Sequence, residues 1–228
     1  MDTQIKFQKD NKGNISDVVI TNVGIYYCNI RSPRPIYDDR KLAYNKARKE
    51  YSVEVAVSEE VADSWDEVFT KQPSKKYTNA KFMEKYKLDN KEDLPFPNEK
   101  KQFTIKIVQK AQNKDGEPVP DFMIPRVFVI KDKKAVDVTF DTNVGNGSKG
   151  AVKLRVNAND YGTFAYLSRV KVDELVEYEG GGSGEADKDF LGVDDVELAE
   201  APERKPSKAS DDDQSDDNDE DNADPDDF

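Results

Sequence analysis

The chain has 228 residues, 36% hydrophobic and 36% charged, which is poor in core-forming residues for a wholly folded chain of this length. The net charge of −12 is unevenly spread: residues 181–228 hold nineteen acids and four bases, a net of −15, so residues 1–180 carry +3 (−12 minus −15). There is no histidine, which excludes Ser–His and Cys–His catalysis and His-ligated metal sites, and no apolar run approaches the length of a membrane span.

In chain order, QIKF (4–7), ISDVVI (15–20) and GIYYCNI (24–30) read as short strands, the first two joined by the turn KDNKGN. The one cysteine, Cys28, cannot form an internal disulfide. It points to a reducing, cytoplasmic setting and reads as a small buried hydrophobe. RSPRPIYDDRK (31–41) is expected to be a basic loop broken by prolines.

The clearest strand is 51–57, with Tyr51, Val53, Val55 and Val57 on one face and Ser52 and Glu54 on the other. A helix follows at once. Ser58 is placed to cap it, Glu59 and Glu60 suit its positive end, and Val61, Trp65, Val68 and Phe69 form one apolar stripe before Pro73 stops it. Trp65 therefore reads as core. A second short helix is expected from Asn79, with Phe82, Met83 and Tyr86 on one side, and LPFPNEKK (94–101) is expected to be a loop.

Strand alternation resumes at Phe103, Ile105 and Ile107, then in RVFVI (126–130) and, after the turn KDKK, in AVDVTF (135–140). SKGAVKLRV (148–156) turns Val152, Leu154 and Val156 inward and Lys153 and Arg155 outward. The last strand, about Tyr161 to Val172, slips its alternation near Tyr166 and Leu167, which predicts a bulge. Short strands with one or two helices between the early ones predict a mainly β fold, an antiparallel barrel over residues 1–178.

Residues 179–228 are expected to form a tail outside that barrel. EGGGSGE (179–185) reads as a flexible linker, FLGVDDVEL (190–198) is one short apolar patch, and eleven of the last eighteen residues are acidic. Such a segment buries too little to offset chain entropy and is predicted to be disordered.

Two chemistries suggested by local spelling fail on context. VGNGSKG (144–150) lacks the Walker spacing and the following helix, so it reads as a glycine-rich hairpin connection carrying Lys149. DDNDED (216–221) has Asp221 where a calcium loop needs glycine. No enzyme, metal or cofactor signal survives. What remains is a basic β body in which Lys149, Lys153, Arg155, Tyr161, Phe164, Tyr166 and Arg169 interleave rings and cations, the pattern by which single strands are held.

The run from YSVEVAVSEEVADSWDEVF (51–69), through LPFPNEKKQFTIKI (94–107) and VGNGSKGAVKLRV (144–156), to RVKVDELVEYEGGG (169–182) and an acidic tail closing on Asp-Phe resembles the single-stranded DNA-binding proteins of short-tailed bacteriophages. The resemblance spans roughly residues 20–182 and the last few residues. It implies a five-stranded OB-fold barrel, single-stranded DNA binding and annealing in phage replication, recombination and repair, and homodimerisation. It also implies contacts of the tail with the phage DNA polymerase and helicase–primase. By position it implies a DNA face containing Arg31, Arg34, Lys106, Lys149, Lys153, Arg155, Tyr161 and Phe164, and a partner-binding tip of Asp224, Asp226, Asp227 and Phe228. The other reading left open by the residues is an adaptor or DNA mimic whose acidic tail is the active part.

Overall fold

The computed structural model describes residues 2–43, 46–131 and 133–177. The linker, the 190–198 patch and the tail residues Asp224, Asp226, Asp227 and Phe228 lie outside the described residues.

The chain runs β1 (Gln4–Lys9), β2 (Ile15–Pro35), β3 (Lys49–Val57), α1 (Glu59–Val68), β4 (Lys75–Thr78), α2 (Asn79–Tyr86), β5 (Lys101–Lys110), β6 (Arg126–Lys131), β7 (Lys134–Asp137), β8 (Ser148–Asn159) and β9 (Gly162–Glu174). Five of these strands close into a barrel. In spatial order they run β2–β3–β5–β9–β8 and back to β2, with β5 and β9 meeting in the parallel sense at Val108 and Tyr166 and the other neighbours antiparallel. Numbered along the chain, that is first–second–third–fifth–fourth–first, the strand order of an OB-fold. β1 adds to β2, β4 to β5, and the β6–β7 pair to β9.

Strand alternation fills the barrel. Val18, Ile20, Val53, Val55, Ile105, Ile107, Val152, Leu154, Leu167 and Val170 all point in with no exposure. α1 covers this core with Val61, Trp65 and Phe69, and the Trp65 indole donates to the Gln72 carbonyl at 2.6 Å. The Ser58 hydroxyl accepts from the Val61 amide at 3.4 Å, and Thr3 donates to that hydroxyl at 2.8 Å; such a cap contributes about 1 kcal/mol. α2 packs a second, smaller core on the outer face, where Phe82 and Tyr86 meet Tyr26, Ala56, Leu94 and Phe96. The bulge expected near Tyr166 is present: Lys153 pairs with Arg169 but Leu154 pairs with Leu167, leaving Ser168 over. Cys28 packs against the main core, where burial pushes its thiol up to about 12.

Four local expectations change. Residues 15–35 are one strand rather than two short ones and a loop, continuing past left-handed residues at Asn22 (φ 54°) and Tyr27 (φ 45°). Its end bulges outward, because Asn29 pairs with Ser52 while Arg34 pairs with Glu50, so four residues face one. AVDVTF is strand only as far as Asp137, since the Asp137 carboxylate turns the chain by accepting from the Thr139 amide at 2.9 Å. VGNGSKG is not a hairpin: β7 pairs with β6, β8 pairs with β2 and β9, and Ser148 and Lys149 already belong to β8.

Candidate nucleic-acid interface

In OB-folds, oligonucleotides lie across the second and third strands, framed by the loop joining strands one and two and by the hairpin joining four and five. In this chain these are the outer faces of β3 and β5, the segment 36–48 and the turn 160–161. Where the outer face is not covered by α2, strand register sets out its side chains in rows. One row runs Arg34–Glu50–Lys110 across β2, β3 and β5. The next runs Asn29–Ser52–Val108 and continues over the parallel seam to Tyr166 on β9 and Arg155 on β8. A third, Tyr26–Glu54–Lys106, runs under α2 at Tyr26 and Glu54 and leaves its cover at Lys106.

The charges on this face are partly committed. Lys106 Nζ lies 2.7 Å from Glu50 Oε1, while Arg34 and Lys110 are exposed and neither forms an ion pair. Arg155 is half-buried beside Tyr166 and, like Arg34 and Lys110, forms no ion pair among the described residues. A cleft of about 630 Å³ opens next to it, lined by Lys110, Arg155, Asn157, Tyr166, Val119 and Met123. An unpaired cation, a ring and an apolar wall on one cleft are the groups that hold a phosphate and a stacked base.

The frame on both sides is built from local contacts. On the loop side, the buried Asp39 carboxylate accepts from the Arg48 guanidinium at 2.7 and 3.2 Å and from the Arg48 amide at 3.0 Å. Those hydrogen bonds hold its carboxyl below the ordinary carboxylate range. Tyr37 in this loop is 79% exposed, with the Arg40 guanidinium 5.3 Å from its ring centre. On the hairpin side, Tyr161 at the turn is 82% exposed, and Phe164 is half-buried opposite Asn157, two pairs beyond Arg155 and Tyr166 and so on the same face.

The structure therefore brings Arg34, Lys106 and Arg155 to one outer face, with Tyr161 and Phe164 on its flanking hairpin and Arg31 exposed in the β2 bulge. It separates two of the expected residues from them. Lys149 sits six residues from Arg155 along β8, about 20 Å at strand rise, and is ion-paired to Glu174 at 2.6 Å. Lys153 bonds Asp17 at 3.2 Å and faces another groove, with Val19, Phe128, Arg169 and Lys171. Sequence reasoning missed Lys110 and Tyr37. Lys110 follows from continuing the alternation of Lys106 and Val108, but nothing in the local pattern around Tyr37 marks it. Among the described residues no group of acids and cysteine could hold a metal, and no helix is long and apolar enough to cross a membrane.

No protein-family model and no curated protein matches the chain. Among solved structures it is similar to phage single-stranded DNA-binding proteins. The C-terminally truncated protein of bacteriophage Enc34 is 14% identical, with 76% of this chain and 97% of that one covered at a TM-score of 0.38. The same protein in complex with ssDNA is 13% identical, covering 78% and 99%, also at 0.38. Gp2.5 of bacteriophage T7 is 17% identical, covering 87% and 100% at 0.35. At such TM-scores the likeness carries no weight beyond itself; the barrel is established by its own strand order.

Proposed function

We propose that this protein binds single-stranded DNA without sequence preference along the outer face of β3 and β5. The observation that carries the reading is the cleft lined by Arg155, which forms no ion pair among the described residues, by Tyr166 beside it and by Lys110, on the ligand face of an OB barrel. Rings there stack on any base and cations track the backbone, so affinity does not depend on sequence. The segment order that resembles the phage single-stranded DNA-binding family supports a role in phage DNA replication and recombination in the host cytoplasm. In this reading residues 1–178 are the binding domain, which pairs as a homodimer. The acidic segment 179–228 recruits the phage polymerase and helicase–primase through Asp224, Asp226, Asp227 and Phe228 and competes with DNA for the basic face.

The test is a salt titration of the full-length protein against oligo-dT and duplex of equal length. Binding to oligo-dT that is stronger than to duplex and falls with salt supports the reading. No shift of oligo-dT by either the full chain or residues 1–182 overturns it in favour of an adaptor or DNA mimic.

A further inference from the structure

Along β2 the side chains alternate as a strand requires: Ile25 points into the barrel and Tyr26 points out under α2. The next residue should point in. It does not, because Tyr27 adopts φ 45°, a conformation that L residues other than glycine, asparagine and aspartate rarely adopt. The turn of the backbone sends Tyr27 to the same outer side as Tyr26 and lets Cys28 resume the inward place. A large aromatic that could have been core is thereby put on the surface, 39% exposed.

Once there, the ring is anchored on the α2 side, with the Lys85 ammonium 5.9 Å from its centre, and stays partly exposed. Its hydroxyl donates to the Lys85 carbonyl, its amide donates to Asn146 Oδ1 at 2.8 Å, and Tyr86 lies against it with ring centres 5.3 Å apart at a 37° tilt. Its carbonyl accepts from Asn29 Nδ2 at 2.9 Å, and Asn29 Oδ1 accepts from Arg34 Nε at 3.3 Å. Tyr27 is therefore linked through one residue to an exposed cation of the candidate face, and Asn29 is itself in the Val108–Tyr166–Arg155 row. Unfavourable backbone geometry kept in place by surrounding bonds is a mark of functional positions.

We infer that Tyr27 is a stacking platform for a nucleobase, with Arg34 placed to meet the adjoining phosphate, so that the bound strand extends beyond the β3–β5 face towards α2. The inference rests on the single-strand reading above. A pre-positioned ring loses little freedom on binding, and its exposed part can stack a base of any identity.

The test compares oligo-dT with an abasic oligonucleotide of equal length, using the full-length protein and its Tyr27→Asn, Tyr27→Ala and Tyr27→Phe variants. Asparagine tolerates the left-handed backbone, so Tyr27→Asn removes the ring without adding strain, and its melting temperature is measured alongside. Tyr27→Asn and Tyr27→Ala are expected to weaken oligo-dT binding about tenfold, the scale of one stacked base, and to leave the abasic strand unaffected. Tyr27→Phe keeps most of the affinity. In the wild-type protein, irradiation with an oligonucleotide carrying 5-iodouracil should crosslink to Tyr27. Unchanged oligo-dT binding by Tyr27→Asn, equal losses on both strands, or no crosslink at Tyr27 overturns the inference. If these occur while Arg155→Ala still weakens binding, the single-strand reading stands without it; if the wild-type protein binds neither strand, both fall together.

Discussion

Gln72 and Ala165 are bonded as if Gln72 were a residue of a neighbouring strand. Its side-chain Oε1 accepts from the Ala165 amide at 2.7 Å, and its Nε2 donates to the Ala165 carbonyl at 3.1 Å. Ala165 lies one residue before Tyr166, where β9 meets β5, so a side chain completes the hydrogen bonding of the barrel seam beside that bridge. Ala165 is fully buried, and its backbone groups have no water to fall back on. Gln72→Ala should leave both unsatisfied at a cost of about 2–6 kcal/mol, near 1–3 for each group. Urea unfolding measures this; a change below about 1 kcal/mol would mean that the seam does not depend on the side chain.

Gly150 is where β8 comes closest to β9. A Cβ placed there would stand 1.9 Å from the Lys171 carbonyl oxygen, and that oxygen is backbone, fixed by its own strand. Gly150→Ala must therefore push the two strands apart. The expected loss is on the order of 3 kcal/mol or more, a large share of the stability of an ordinary domain, so soluble yield should fall. The readout is soluble yield together with near-ultraviolet circular dichroism.

The basic residues of β8 should separate cleanly in binding. Arg155 lies on the candidate face with no ion pair among the described residues, whereas Lys149 is at the far end of the strand and paired with Glu174. Arg155→Ala is expected to weaken oligo-dT binding roughly tenfold and to lower the salt slope by about 0.7, the value for one single-strand phosphate contact. Lys149→Ala should change neither. Equal effects at the two positions would place the bound strand along β8 rather than across the barrel.

The loop that frames the face carries its own pH dependence. Hydrogen bonds from Arg48 depress the Asp39 carboxyl below its unfolded value. A depressed carboxyl contributes stability that is fully present above the unfolded value, about 3.9, and is lost as pH falls through the folded one. Amide exchange in residues 36–48 should therefore quicken relative to the barrel strands below about pH 4. Asp39→Asn should make that loop equally labile at pH 4 and pH 7.

Much of this was legible because the informative signals were local. α1 could be read from Ser58 and the Val61–Trp65–Phe69 stripe, since a cap and an apolar period lie within three turns of one another. β3 and β8 could be read from strict alternation, and with them the outward places of Lys153 and Arg155. The site was less legible because it depends on register between distant segments. That Arg34, Lys110 and Arg155 share a face follows from a chain of pairings between segments far apart in sequence, such as Glu50 with Lys110 and Val108 with Tyr166. Tyr27 was illegible for another reason: one left-handed residue reverses the rule by which GIYYCNI would be read, and no glycine marks the spot. Likewise, a glutamine filling a strand position leaves no periodic trace.

The acidic segment should act on the body through charge. Residues 211–228 contain eleven acids and no base, while residues 1–180 carry +3, and the two are joined by a Gly-rich stretch. A tether of that composition supplies a local concentration on the order of mM, at which the competition proposed above needs only a weak attraction to the basic face. Deleting residues 211–228 should therefore tighten oligo-dT binding at low salt, with the gain shrinking as the Debye length falls from about 30 Å at 0.01 M to about 8 Å at 0.15 M. Phe228→Ala keeps every charge and should leave binding by the body nearly unchanged; on the recruitment proposed above it weakens capture of a phage polymerase. An affinity for oligo-dT that does not change on deletion at low salt would remove competition as the role of the tail and leave recruitment alone.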